Sequence, residues 1–180
     1  MSRIGFFGGS FDPVHLAHLA LGRVAFAELK LDQLRWVPTG RPWHKQHQPG
    51  DAEHRVAMLE LALDGEPHYV IDLSELRRDG PTYTLDTISQ WQAAEPGHEW
   101  FLIIGQDQYG RFDTWHHWRE LLERVTLAVA ARDGVEPTPP PALAALPHRV
   151  RRLPLPRIAL SSSEIRARAA RGESLNGLVT

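Results

Sequence analysis

Apolar residues follow two rhythms along this chain. Short, nearly unbroken apolar runs predict strands at Ile4 to Phe7, Leu34 to Pro38, Tyr69 to Leu73, Trp100 to Ile104, Thr126 to Ala131 and Arg149 to Leu153. Runs without polar alternation suit strands of a parallel sheet covered on both faces. Between them, Leu16, Leu19, Ala20, Arg23, Val24, Ala27 and Leu31 recur at helical spacing, and Glu53 to Leu63, Thr84 to Ala94 and Trp118 to Arg124 also read as helices. In the helix over 53–63, Val56, Leu59 and Leu63 are expected to face the core. The alternation of strand and helix predicts an α/β fold: a Rossmann-like, doubly wound, mostly parallel sheet with helices on both faces, binding ligands at the carboxyl ends of its strands. Glu136-Pro137-Thr138-Pro139-Pro140-Pro141 is stiff and extended, and is expected to span a surface rather than divide two domains, so residues 1–180 read as a single domain.

Composition narrows this picture. A hydrophobic share of 42% over 180 residues suits one globular unit with a real core. Without cysteine, neither a disulfide framework nor a thiolate metal site is available. No apolar run approaches a membrane span and no amino-terminal segment has a signal pattern, so a cytoplasmic protein without membrane partners is expected. A net charge of −2 argues against a general nucleic-acid binder. Arg149, Arg151, Arg152 and Arg157, around the last strand, are expected to be solvated.

The candidate chemistry begins where the first strand ends. Gly8-Gly9-Ser10-Phe11-Asp12-Pro13-Val14-His15-Leu16-Ala17-His18 turns sharply at the glycines and enters a helix whose first turn carries His15 and His18 on one face. Free N–H groups and the positive end of the helix dipole favour an anion there. A phosphate chain is the natural guest. The segment has neither the lysine and Ser/Thr of a Walker A loop nor the three glycines of the dinucleotide fingerprint. Asp12-Pro13 reads as a turn that fixes the helix entry.

These residues resemble the signature of the nucleotidylyltransferase superfamily, a glycine turn followed by His-x-x-His, in the form found in the bacterial nicotinate-nucleotide adenylyltransferase branch. His15 distinguishes that branch from the pantetheine-phosphate adenylyltransferases, which usually carry Thr or Ser there. Ala17 stands where the family mostly has Gly, and tighter packing is the expected effect. The segment Ile158-Ala159-Leu160-Ser161-Ser162-Ser163-Glu164-Ile165-Arg166 fits a helix capping box through Ser161 and Glu164. It also resembles the superfamily's second signature, which implies that Ser161, Ser162, Ser163 and Arg166 hold the β and γ phosphates of ATP opposite the histidines, the arginine fork suiting paired phosphate oxygens.

Four further segments are similar to the same branch. Pro42-Trp43-His44-Lys45 places Lys45 near a substrate phosphate, with Trp43 where the family has proline. His54 to Leu59 reads mainly as packing. Thr82 to Thr87 opens a helix, either with Thr84 as its cap or, by resemblance, with Thr84 near the carboxylate of a pyridine ring. Ile104-Gly105-Gln106-Asp107 and Phe112 to Trp118 follow, with Gly105 and Asp107 at the ribose, Trp115 stacked on the nicotinate ring, His116 beside it and Trp118 packed inward. Arg132 is expected at the acceptor phosphate.

The resemblance implies transfer of the adenylyl group of ATP to nicotinate mononucleotide, in NAD biosynthesis. Gly8, Gly9, Ser10 and Phe11 join the ATP site, and His15, His18 and Arg166 carry the catalysis. Magnesium (Mg2+) is expected to arrive with ATP, held by phosphates and water rather than by a carboxylate cage. Two alternatives stay open: the same transfer to nicotinamide mononucleotide or another phosphate ester such as phosphopantetheine, and a non-catalytic nucleotide-sensing or RNA-binding module. The similarity runs from Ile4 to about Gly177, and family members generally continue beyond that point into a final helix.

Overall fold

The computed structural model describes residues 2–9, 11, 14, 16–39, 52–77, 83–131 and 135–154. Six strands form one sheet: β1 (Arg3–Gly9), β2 (Gln33–Pro38), β3 (Tyr69–Ile71), β4 (Glu99–Gly105), β5 (Thr126–Ala131) and β6 (Val150–Pro154). Their order is β3-β2-β1-β4-β5-β6, and every pairing is parallel. Chain order therefore runs outward from the centre in both directions, the doubly wound arrangement expected from the sequence. The helices are α1 (Leu16–Glu28), α2 (Ala52–Ala62), α3 (Thr84–Ala94), α4 (Gln106–Gly110), α5 (Trp118–Arg124) and α6 (Pro141–Ala144), with a 3-10 turn at Phe112–Thr114. None of the described helices is long and apolar enough to cross a membrane.

Successive strand residues point to opposite faces, so each strand feeds two cores. Ile4, Phe6, Trp100, Leu102 and Ile104 join Leu85, Ile88 and Trp91 of α3 and Leu121 of α5 on one face. Phe7, Leu34, Trp36, Phe101 and Ile103 join Leu19 and Ala25 of α1 and Leu59 of α2 on the other. Burial on both faces explains why the strands read as continuous apolar runs.

The α1 stripe differs from its expected register. Leu19, Gly22 and Ala25 are buried, followed by Leu29 just past the helix, whereas Arg23 and Ala27 are exposed. The cause is Gly22: a Cβ there would stand 2.6 Å from the Trp36 indole, so only glycine lets α1 settle on that ring. In α2 the inward positions are Arg55 and Leu59, continued by Leu63 just past the helix, four residues apart, while Val56 is only half-buried. β3 ends at Ile71 rather than Leu73.

The late arginines do more than meet solvent. Arg151 Nη2 donates to the carbonyl of Glu28, the last residue of α1, at 3.2 Å, and Arg149 Nη2 donates to Glu123 O in the last turn of α5 at 3.2 Å. Cations thus serve carbonyls that helix ends leave without partners. Arg152 Nε donates to Val135 O at 3.0 Å; Arg157 lies outside the described residues. The proline-rich segment does not divide the sheet, since β5 before it pairs with β6 after it.

Candidate active site

β1 and β4 are neighbours at the centre of the sheet, and the chain leaves them in opposite directions, toward β2 and toward β5. Connections that diverge from two adjacent strands leave a crevice above their carboxyl ends, where open α/β sheets bind ligands. Gly8 and Gly9 close β1, and Gly105 closes β4. A Cβ at Gly8 would come within 2.6 Å of the Phe6 ring. Gly105 is different, because its φ of −89° suits any residue and no described atom lies within 4 Å of where a Cβ would be. Among the described residues neither packing nor backbone demands glycine at 105.

On the α1 side of the crevice, Phe11 adopts φ 46°, a conformation that costs a non-glycine residue about 1 kcal/mol. Burial holds it there: the ring is 1% exposed and packs on Phe7, Trp36 and His18. What Phe11 can offer a ligand is therefore its backbone rather than its ring. His18, in the first turn of α1, stands edge-on to Phe11 with centroids 5.1 Å apart and to Phe7 at 6.4 Å, so aromatic neighbours fix its imidazole.

On the α3 and α5 side, Thr84 is the first residue of α3, and Tyr83 rather than Thr84 holds the cap position. Tyr83 stacks on His116, centroids 4.0 Å apart and planes 19° from parallel. That stack joins the start of α3 to the segment carrying Trp115, so Thr84, Trp115 and His116 share one neighbourhood. Trp115 is half-buried with one face on Phe112 at 4.8 Å, and Trp118 is half-buried against the same core, the inward packing expected of it. Tyr83 carried no signal of its own in the sequence beyond being aromatic beside a helix start.

Asp107 is exposed on α4, immediately past Gly105. Two contacts anchor this short helix. The Gln106 amide donates to Thr138 O at 2.7 Å and accepts from Thr138 N–H at 2.9 Å. Tyr109, 1% exposed, bonds His148 Nε2 at 2.7 Å, and His148 Nδ1 lies 2.9 Å from Leu146 O, where its N–H donates. Burial raises the pKa of that phenol.

At the end of β2, Thr39 N–H donates to Gly9 O at 2.9 Å, and Arg55 Nη1 donates to Thr39 O at 2.7 Å. A cation 3% exposed is an element the sequence reading missed. Ser10, Asp12, His15, Lys45, Arg132, Ser161, Ser162, Ser163 and Arg166 lie outside the described residues. Among the described residues no group of three or more His, Asp or Glu side chains is placed to hold a metal ion.

A doubly wound parallel sheet with a crevice where the strand order reverses is the architecture of nucleotide-binding α/β proteins, and the chain belongs to the cytidylyltransferase-like family, whose model matches residues 6–168. Within that family it is similar to proteins named "probable nicotinate-nucleotide adenylyltransferase". The one from Methylibium petroleiphilum is 51% identical over 98% of this chain and 84% of the relative. The one from Bordetella petrii is 48% identical over 99% of this chain and 92% of the relative. Among solved structures, the Plasmodium falciparum nicotinic acid mononucleotide adenylyltransferase complexed with NaAD superposes with a TM-score of 0.76 at 19% identity, covering 98% of this chain and 88% of that one. At that identity the likeness is one of fold.

Proposed function

We propose that this chain transfers the adenylyl group of ATP to the 5′-phosphate of nicotinate mononucleotide, giving nicotinate adenine dinucleotide and pyrophosphate, a step of NAD biosynthesis. The observation that carries this is the crevice between Gly8-Gly9 and Gly105, with His18 fixed at one wall and Thr84, Trp115 and His116 gathered at the other. It occurs in a chain whose close relatives bear the name of that enzyme.

An acceptor phosphate is already an anion at neutral pH. One of its oxygens attacks the α-phosphorus of ATP, the bond from that phosphorus to the bridging oxygen breaks, and pyrophosphate leaves with the electron pair. No proton need be removed and no covalent enzyme intermediate forms, so catalysis consists of positioning and charge stabilisation. His15 and His18 donate to the phosphate oxygens, and Gly8, Gly9, Ser10 and the Phe11 backbone let the chain of phosphates approach closely. Ser161, Ser162, Ser163 and Arg166 hold the β and γ phosphates that become pyrophosphate. Gly105 leaves room for the ribose, and Asp107 accepts its hydroxyls. Thr84, Trp115 and His116 receive the pyridine ring, and Lys45 and Arg132 the acceptor's phosphate. Magnesium, when bound with ATP, screens the charge between the two anionic reactants. We place the reaction in the cytoplasm.

ATP labelled at the α-phosphorus and mixed with nicotinate mononucleotide and this chain tests the chemistry. The label is expected in the dinucleotide, with unlabelled pyrophosphate released. Label left in ATP, or found in free AMP alone, overturns the proposal.

A further inference from the structure

α2 turns inward through Arg55 and Leu59, and Leu63 just past its end continues the stripe, each spaced one helical turn and a little more apart. Two of the three are leucines, as a helix packed on a sheet requires. The third is a guanidinium, 3% exposed. Taking a cation out of water costs several kcal/mol unless its hydrogen bonds repay it, and an apolar residue of similar volume often serves stability equally well. Packing alone therefore gives no reason for arginine at the head of this stripe.

Its hydrogen bond supplies one. Arg55 Nη1 donates to the carbonyl of Thr39 at 2.7 Å. Thr39 is the first residue past β2, and its N–H donates to Gly9 O at 2.9 Å. The β1–β2 register ends with Gly9 opposite Pro38, and the Thr39 bond is the last rung of that ladder, at the glycine turn itself. Glycines lack side chains that could hold such a turn from outside, so its position depends on backbone bonds like this one.

We propose that Arg55 is a positioning residue for the adenylyl transfer: it locks Thr39, which in turn holds the Gly9 carbonyl and sets the glycine turn where the phosphates of ATP must lie. This rests on the proposed reaction only for its kinetic consequence; the lock itself is a structural claim that can be read without turnover.

Arg55→Met keeps the length and apolar stem while removing charge and donors. With the melting temperature within a few degrees of the parent, amide hydrogen exchange at Thr39 is expected to speed up. In the same variant kcat should fall at least about tenfold while KM for ATP changes little, because a misplacement of the turn penalises the transition state most. Unchanged exchange at Thr39 overturns the lock whether or not the chain is an adenylyltransferase. Faster exchange with unchanged kcat overturns the link to catalysis. Should Arg55→Met not fold, Arg55→Lys carries the test. It keeps the charge but not the planar fork, and the same two changes are expected at smaller size; parental exchange and kcat in this variant overturn the proposal.

Discussion

His116 lies flat against Tyr83, ring centroids 4.0 Å apart, so the residue that caps α3 and the exposed imidazole beside Trp115 form one unit. Stacked rings of this kind are worth about 0.5–1.5 kcal/mol beyond their buried area. Tyr83→Leu should free His116 and loosen the neighbourhood of Thr84 and Trp115. KM for nicotinate mononucleotide is expected to rise by roughly threefold to tenfold, the equivalent of about 1 kcal/mol, with KM for ATP unmoved. Steady-state kinetics with each substrate varied in turn checks it, and equal increases for both would contradict a role confined to the acceptor.

His18 is fixed edge-on against Phe11 and Phe7 at the wall of the crevice. A donor aimed at charge that grows during reaction matters more to the transition state than to bound substrate. His18→Ala should lower kcat by about 10²- to 10³-fold, with KM for ATP within about threefold. A loss confined to KM would assign His18 to ground-state binding instead.

The paired hydrogen bonds between Gln106 and Thr138 tie the proline-rich segment to the helix that carries Asp107. Both groups are partly solvated, so Gln106→Ala should cost only about 1 kcal/mol of stability. Gln106→Glu should cost more, because a carboxylate replaces the donor facing Thr138 O. In both variants the Thr138 amide should exchange faster, and limited proteolysis near Val135 to Pro140 should quicken.

Arg35, on β2, lies over the Trp91 ring at 4.6 Å and donates to Glu95 Oε1 at 2.8 Å. That hydrogen bond is the main cause holding the Glu95 carboxyl below its ordinary pKa of 4.5. A carboxylate with a depressed folded-state pKa adds stability that is present above its unfolded value and is lost as pH falls through the folded one. Glu95 is partly open to solvent, with 40% of its side chain exposed, so the contribution is modest. Denaturant melts of the parent and of Glu95→Gln should therefore differ at pH 7 and converge as pH drops below 4.5. A gap that persists in acid would show that the ion pair is not its source.

The sheet was legible in the sequence because strands buried on both faces are unbroken apolar runs, as in Trp100 to Ile104. The glycines at the ends of β1 and β4 were legible because turns and strand ends favour that residue. Three features depend on partners far along the chain and left no local pattern. Gly22 counts as neither apolar nor polar in a periodicity, yet it decides which side of α1 meets Trp36. Arg55 looks like a surface cation in a helix start, and only the end of β2 brings it an acceptor. Arg151 is solvated as expected, and only the fold shows that it also serves the carbonyl at the end of α1. α4 is five residues long, too short for any helical rhythm to appear.

The most direct test offers the purified chain ATP and magnesium with nicotinate mononucleotide, nicotinamide mononucleotide or phosphopantetheine, and measures the initial rate of pyrophosphate release with each. Fast release with nicotinate mononucleotide and far slower release with the other two is the expected result. Preference for either of the others, or no release with any of the three, would contradict the proposed function.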